Sequence, residues 1–352
     1  MDNRALMTPH IFSAPMIFFG KESSSSLRYM DREETLLLAS GSVSGTIHYK
    51  KLAGFIGSCS EKSVKNPDIS NISSTSREFG DVSRIVAVGG GSVLDAAKII
   101  RHFIETDSND PSKIGQIPGK KKVTLIAVPT TPGTGSHTTS VAVIRHDDNI
   151  KIPYVNTRLM PDAAVLDTNF LLSLSKEYMA YSAADILSHN MEGCVSRLSN
   201  NFIKHISATS MEMLKEGFLK YEGDPEETSA LEKIFMSGHL AGLVQGNSFV
   251  GVCHAIAHSL ETLMQINHGC AILSILEGCT EWLKTNDKNN SYGKFLEFYN
   301  ELGLERYKKP GLLKSVDTDR LAELALADPS IRTSPVKISP ELIRDLIRCL
   351  KQ

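Results

Sequence analysis

Ala87-Val88-Gly89-Gly90-Gly91-Ser92-Val93-Leu94-Asp95 is the stretch on which the fold turns. Arg84 to Val88 (RIVAV) leads into it as a short, apolar, β-branched run and reads as a buried strand. Val93 to Phe103 leads out of it with apolar residues at helical spacing. Strand, glycine turn and helix start therefore follow one another without a gap, the signature of a βα unit. Glycines let the backbone approach a ligand closely. The new helix offers free N–H groups and a positive dipole end, which suit a pyrophosphate. The pattern is not GxGxxG, and it lies near residue 90 rather than at the first strand; a tight strand-to-helix turn is the plainer alternative.

Working outward, Ala14 to Phe19 and Thr35 to Ala39 read as strands, with Ser23 to Ser26 a turn into a short helix. Ser60 to Arg77 is polar and rich in Ser and Asn, so it reads as a long loop or a poorly packed helix. Asp107 to Lys122 is loop-like, and Val123 to Val128 is a buried strand. Ser140 to Ile144 and Lys151 to Val155 are expected to form a hairpin across His146 to Asn149. Ala163 to Leu166 closes the series as another strand. Strands alternating with helices imply a mostly parallel α/β sheet. A second loop, Val128-Pro-Thr-Thr-Pro-Gly-Thr-Gly-Ser136, also follows a strand. Its hydroxyls and backbone N–H groups suit phosphate and ribose oxygens, although Thr, Gly and Pro are also the usual residues of a polar turn. Two such loops at the C-terminal ends of parallel strands mark the edge where open α/β sheets bind ligands.

After Thr168 the character changes. Segments 176–197, 202–220, 228–245, 250–263 and 269–285 carry helical spacing with almost no strand-like run. The chain is thus expected to comprise an α/β domain over 1–168 and an all-helical domain over 169–352, with a cleft between them as the default ligand site. The 352 residues are 41% apolar and 22% charged, which excludes a disordered chain or a coiled coil. A formal net charge of −2 leaves no basic excess to track a nucleic acid. No apolar run is long enough to span a membrane, and MDNRALMTPHIF lacks the layout of a secretory signal. Cys59, Cys194, Cys253, Cys270, Cys279 and Cys349 form no CxxC pair and read as reduced thiols of a cytoplasmic protein.

The strongest chemistry lies in the helical half. Asp185 and His189 stand four apart in YSAADILSHNMEG, on one helix face. His254 and His258 stand four apart in GVCHAIAHSLE, and His268 follows fourteen residues after His254. One histidine is most often a packed or surface residue. Three or more with an aspartate in apolar helices are harder to explain that way, because buried unpaired polar groups cost free energy that a divalent cation removes. An aspartate with three histidines suits Fe(II) or Zn(II). Five candidates for four places leave one spare, and a histidine one turn from a ligand could instead shuttle protons.

The combination GGGSVLDAAK, PTTPGTGS, DAAVLD, Asp-x-x-x-His and His-x-x-x-His followed by His268 resembles the iron-containing (group III) alcohol dehydrogenases, from about Ile17 to about Gly278. The resemblance implies an N-terminal dinucleotide-binding α/β domain, a helical metal domain and a dehydroquinate-synthase-like architecture. It implies NAD(P)-linked interconversion of a small alcohol and an aldehyde or ketone. Hydride would pass between C4 of the nicotinamide and a substrate oriented by Fe2+ or Zn2+. By position, Asp185, His189, His254 and His268 would hold the metal, and His258 would sit outside that shell as the proton-exchanging residue. Gly90, Gly91, Ser92 and Asp95 would line the pyrophosphate, Thr130, Thr131 and Thr139 would approach phosphates and ribose, and Lys151 would contact the cofactor. The family's NAD-selecting aspartate would fall at about Gly41, in Ser40-Gly41-Ser42, so NADP(H) is expected to be accepted and modestly preferred. A homodimer is the family expectation; neither a nucleic acid nor a membrane is an expected partner.

Several positions depart from the family pattern. His137 replaces the glutamate after GTGS, Glu261 replaces the glycine of HxxxHxLG, and Asn190 and Cys194 replace smaller or more apolar residues. Retention of the aspartate ligand separates the chain from the similar maleylacetate reductases. The competing readings are a lyase like dehydroquinate synthase, a relative that oxidises sugar acids, a metal-free reductase, and a noncatalytic nucleotide- or metal-binding protein.

Overall fold

Arg84–Gly89 (β4) is buried along almost its whole length, because it lies inside the sheet with strands on both sides. The computed structural model describes residues 14–30, 34–64, 68–114, 122–146, 151–286 and 292–351. Around β4 stand Met16–Phe19 (β1), Thr35–Ser40 (β2), Ser60–Val64 (β3), Thr124–Pro129 (β5) and Ala163–Leu166 (β8). They form one parallel sheet in the order β1-β8-β5-β4-β2-β3. Val141–Arg145 (β6) and Lys151–Val155 (β7) pair antiparallel in the expected hairpin; its connection at 147–150 lies outside the described residues. The α/β unit runs from Ala14 to Leu174.

The strand order locates the binding edge of this unit. From β2 the chain passes through Ile47–Ile56 (α1) to β3 on one side. It then returns to β4 on the other side of β2 and continues through Gly91–Thr106 (α3) to β5. The progression reverses between β2 and β4, which are neighbours in register from Thr35 and Arg84 to Ala39 and Val88. A crevice at such a reversal is where open α/β sheets take ligands. Both turns that open there, after Ser40 and after Gly89, are glycine turns.

Of the stretch expected to be a long loop or a poorly packed helix, residues 69–77 follow the helix alternative, and Ser60–Val64 departs from both. Ser60–Val64 is a strand, and Ile69–Glu78 (α2) is a helix capped by Asp68, which accepts from the Asn71 N–H at 2.8 Å. The polar composition misleads because β3 is an edge strand, paired only to β2 and largely solvent-facing. In α2 the small side chains Thr75 and Ser76 join Ile69 and Ile72 on the buried face. The serine run forms a 3-10 turn, Ser23–Tyr29. Asp167 anchors it by accepting from the Ser24 N–H at 3.1 Å and from the Ser24 hydroxyl at 2.5 Å. Of the expected loop Asp107 to Lys122, a short 3-10 turn at Pro111–Lys113 is seen, and 115–121 lie outside the described residues.

From Ser175 onward the described chain is helical. Lys176–Val195 (α4) is buried on every face from Met179 to Cys194, because Asn201–Gly223 (α5), Thr228–Ser248 (α6) and His268–Asn286 (α8) pack around it. Burial of this kind makes each polar residue on the helix conspicuous. Val252–Met264 (α7) packs against α8 and Thr318–Ala327 (α10). Gly293–Glu301 (α9) and Pro340–Leu350 (α11) flank α8. Among the described residues no single helix is long and apolar enough to cross a membrane.

Candidate active site

Helical spacing puts Asp185 and His189 on one face of α4, and α7 brings His254 to the same point. Gly269 lets α8 complete the set: a Cβ there would stand 2.7 Å from Cβ and 2.9 Å from the carbonyl oxygen of Tyr181 on α4. Only glycine permits that approach, and it delivers the neighbouring His268. Asp185 Oδ1 lies 3.4 Å from His189 Nε2, 3.7 Å from His254 Nε2 and 3.4 Å from His268 Nε2. Three imidazoles thus turn the same ring nitrogen toward one carboxylate oxygen.

Two of the far nitrogens are held by carboxylates. His254 Nδ1 meets Glu192 Oε2 at 2.6 Å, and Glu192 Oε1 accepts from the Cys253 N–H at 2.6 Å. His268 Nδ1 meets Glu261 Oε1 at 2.6 Å. A carboxylate on the far nitrogen fixes the ring, keeps Nε2 as the open lone pair and raises its basicity, the usual support of a metal-ligating histidine. Asp185 Oδ1 and His254 Nε2 are buried and make no hydrogen bond in the structure. Buried polar atoms are rarely left so; a divalent cation fits these donors and would satisfy both atoms.

The electrostatics agree. Asp185, Glu192 and Glu261 are all buried, so the cluster needs positive charge. Burial pushes the Asp185 carboxyl up, but the positive charges of His189 and His268 and the close approach of the His254 ring outweigh it. They hold it well below the usual range. Burial pulls His268 down, but Glu261 and Asp185 together push it up to about 10. Protons on imidazoles balance the carboxylates, and a dication would displace them.

His258, the fifth candidate, is placed differently. Its ring stands 5.4 Å from that of His268 and 5.9 Å from that of His254, while its Nδ1 meets Asp328 Oδ2 at 2.8 Å.

In the α/β unit the two expected loops meet. A Cβ on Gly91 would stand 3.1 Å from Thr134 side-chain atoms, and one on Gly90 3.6 Å from Thr131 Oγ1. Gly90 caps α3 with no side-chain bond; the Val93 N–H donates to the Gly90 carbonyl at 3.0 Å, which leaves the amides of Gly91 and of the exposed Ser92 open. Thr131 Oγ1 and Thr138 Oγ1 are buried without a hydrogen bond. Such a cradle of free amides, hydroxyls and close backbone fits a pyrophosphate. Thr130 is buried beside it, and Gly41 is exposed in the turn after β2. Asp95 is occupied internally. Its Oδ1 accepts from the Ser136 hydroxyl at 2.5 Å and from Lys98 Nζ at 3.3 Å, and its Oδ2 from the Val143 N–H at 2.9 Å. Thr139 is buried too, its hydroxyl 3.3 Å from Lys98 Nζ. Lys151 opens β7 opposite Arg145.

Glu192, Glu261 and Asp328 are the site residues that the sequence reading did not include. A signal existed for two of them. Asp185, His189 and Glu192 stand at i, i+4 and i+7 of α4, and His254, His258 and Glu261 repeat that spacing on α7.

Residues 15–168 match the family model described as iron-containing alcohol dehydrogenase, and residues 179–309 match the C-terminal model of the same family. The chain belongs to the iron-containing alcohol dehydrogenase family. It is an NAD(P)-linked oxidoreductase acting on CH–OH groups. It is 30% identical over 273 residues to an NADPH-dependent butanol dehydrogenase of Clostridium saccharobutylicum, covering 72% of this chain and 69% of that one. It is 30% identical over 280 residues to a 4-hydroxybutyrate dehydrogenase of Clostridium kluyveri, covering 77% and 72%. The fold is that of an alcohol dehydrogenase from Oenococcus oeni, with a TM-score of 0.87 at 21% identity, covering 97% of this chain and 99% of that one.

Proposed function

We propose that this family member reduces small aldehydes to alcohols, and oxidises the alcohols in reverse, with Fe2+ held by Asp185, His189, His254 and His268. The observation that carries this reading is the convergence of three Nε2 atoms within 3.4–3.7 Å of Asp185 Oδ1. When bound, the dication supplies Lewis acidity toward the substrate oxygen, and the nicotinamide cofactor carries the hydride. The rest is the work of the chain. Glu192 and Glu261 hold two of the ligand rings in one tautomer. His258, one turn from His254 and fixed at Nδ1, exchanges the substrate proton at Nε2. Gly90, Gly91, Ser92, Thr130 and Thr131 receive the dinucleotide phosphates. Asp95 and Thr139 act through Ser136 and Lys98, which they tie into the loop after β5.

NADP(H) is the cofactor this reading favours by a small margin. The turn after β2 offers the hydroxyls of Ser40 and Ser42, 3.1 Å apart, and no carboxylate. The name of the Clostridium saccharobutylicum relative agrees. Six free cysteines, four of them buried, suit a cytoplasmic enzyme. The test is a series of two- to four-carbon aldehydes, ω-hydroxylated ones included, with NADPH oxidation followed by absorbance after iron or zinc loading. Absence of turnover with every aldehyde and both metals would overturn the substrate class. Full metal content in Asp185→Ala would overturn the ligand set.

A further inference from the structure

Asp328 lies past residue 309, where the family match ends, between α10 and a 3-10 turn, Pro329–Thr333, that packs on α7. Its carboxylate is held from two sides. Oδ1 accepts from the Ser330 N–H at 2.8 Å, and Oδ2 meets His258 Nδ1 at 2.8 Å. The turn itself is pinned to the start of α7 by the Thr333 hydroxyl, which donates to the Val250 carbonyl. Both side chains are largely withdrawn from solvent, His258 at 25% and Asp328 at 16% exposure, so this is not one of the exposed ion pairs that contribute little.

We propose that Asp328 is the positioning residue of His258: it fixes the ring and places its proton on Nδ1, leaving Nε2 as the open proton acceptor. An ionised carboxylate can only accept, so the 2.8 Å contact requires an N–H at Nδ1. Burial pushes the Asp328 carboxyl up, but the bond to His258 and that from the Ser330 N–H outweigh it and keep it ionised. Among the described residues no hydrogen bond occupies His258 Nε2. The arrangement parallels the carboxylate that orients a catalytic histidine in hydrolases, where exchange of aspartate for asparagine imposes the wrong tautomer. It rests on the reading of His258 as the proton-exchanging residue.

Asp328→Asn is the informative variant. Asparagine has one oxygen where aspartate has two. The orientation that preserves the Ser330 contact turns the amide NH2 toward His258 Nδ1, which forces the ring proton onto Nε2. In zinc-loaded protein with 15N-labelled histidine, the His258 signal, assigned by its loss in His258→Ala, should report a proton at Nδ1 in the parent and at Nε2 in Asp328→Asn. Turnover of butanal with NADPH should fall about 100-fold in kcat, with KM within about twofold and metal content unchanged. In a His258→Ala background the same substitution should change kcat by less than about twofold. An Nε2 proton in the parent, an unchanged signal in the variant, or an equal loss of kcat in both backgrounds would overturn the inference. Full turnover by His258→Ala would instead overturn the proton-exchange reading, while the nitrogen spectrum still decides the role of Asp328.

Discussion

The two units bind by opposite means. The α/β unit presents backbone, in the form of open amides at the start of α3, glycines and a few hydroxyls. The helical unit presents side chains, with four donors around one point and carboxylates behind two of them. A backbone site is damaged by adding atoms, whereas a side-chain site is damaged by removing them. Variants in the two units should therefore separate cofactor binding from metal binding.

The largest effect belongs to Asp185. Replacing it by alanine removes the carboxylate on which the three Nε2 atoms converge and leaves only Glu192 and Glu261, behind two of the rings, as counter-charge. Metal content should fall below about a tenth of an equivalent, and turnover by at least about 10³-fold, or ~4 kcal/mol. NADPH binding, measured by fluorescence titration, should remain within about twofold. Loss of cofactor binding together with the metal would break the separation of the two units.

Acid should act on the same unit. The folded pKa of His268 is raised to about 10, so at neutral pH the metal-free ring holds a proton that the metal must displace. Metal affinity should rise with pH up to that value and fall on acidification. In the metal-free chain the sign is opposite. A raised histidine stabilises the fold fully below its unfolded pKa, and that contribution is lost as pH rises through about 10. Chelator competition and thermal unfolding across pH 6 to 10 should therefore slope in opposite directions; parallel slopes would exclude His268 as the coupled group.

Glu261→Gly restores the residue that the family pattern carries and leaves His268 without its 2.6 Å partner. Metal affinity should drop about 10- to 100-fold by competition with a chelator. On the other side of the comparison, Gly91→Ala pushes a methyl to 3.1 Å from Thr134 and crowds the cradle. The Kd for NADPH should rise about tenfold, ~1.4 kcal/mol, with metal content unchanged. If Gly91→Ala binds NADPH normally, the pyrophosphate lies elsewhere on the sheet edge.

The sequence revealed each unit as far as its chemistry follows local spacing. The glycine turn after β4 was legible because strand, turn and helix are contiguous. The Asp185/His189 and His254/His258 pairs were legible because i and i+4 share a helix face. Ser60–Val64 was not legible as a strand because an edge strand needs little apolar sequence, and the helix over Ile69–Glu78 could not be told from a loop because hydroxyls fill part of its buried face. Glu192 and Glu261 were within reach, one turn beyond their histidines. Asp328 was not, because its partner lies 70 residues away and no periodicity connects a turn to the helix it packs on.

The smallest effect tests the turn after β2. Gly41 is exposed, and a Cβ there would meet nothing closer than Ser63 Oγ at 3.8 Å; aspartate fits without displacing the backbone. Ser40 and Ser42 offer a 2′-phosphate hydroxyls but no positive charge, so the preference of the parent for NADP(H) should be only about tenfold in kcat/KM, ~1.4 kcal/mol. A carboxylate at this position accepts from ribose hydroxyls and repels the phosphate. Gly41→Asp should therefore move the ratio toward NAD(H) by about tenfold or more, chiefly through the KM for NADP(H). The comparison sharpens because metal content and kcat with saturating NADH should not move, the change being confined to one turn of the α/β unit. An unchanged ratio would mean that the adenosine ribose lies away from Ser40–Ser42. A parent that already strongly prefers NAD(H) would mean that a carboxylate from another element reaches the ribose first.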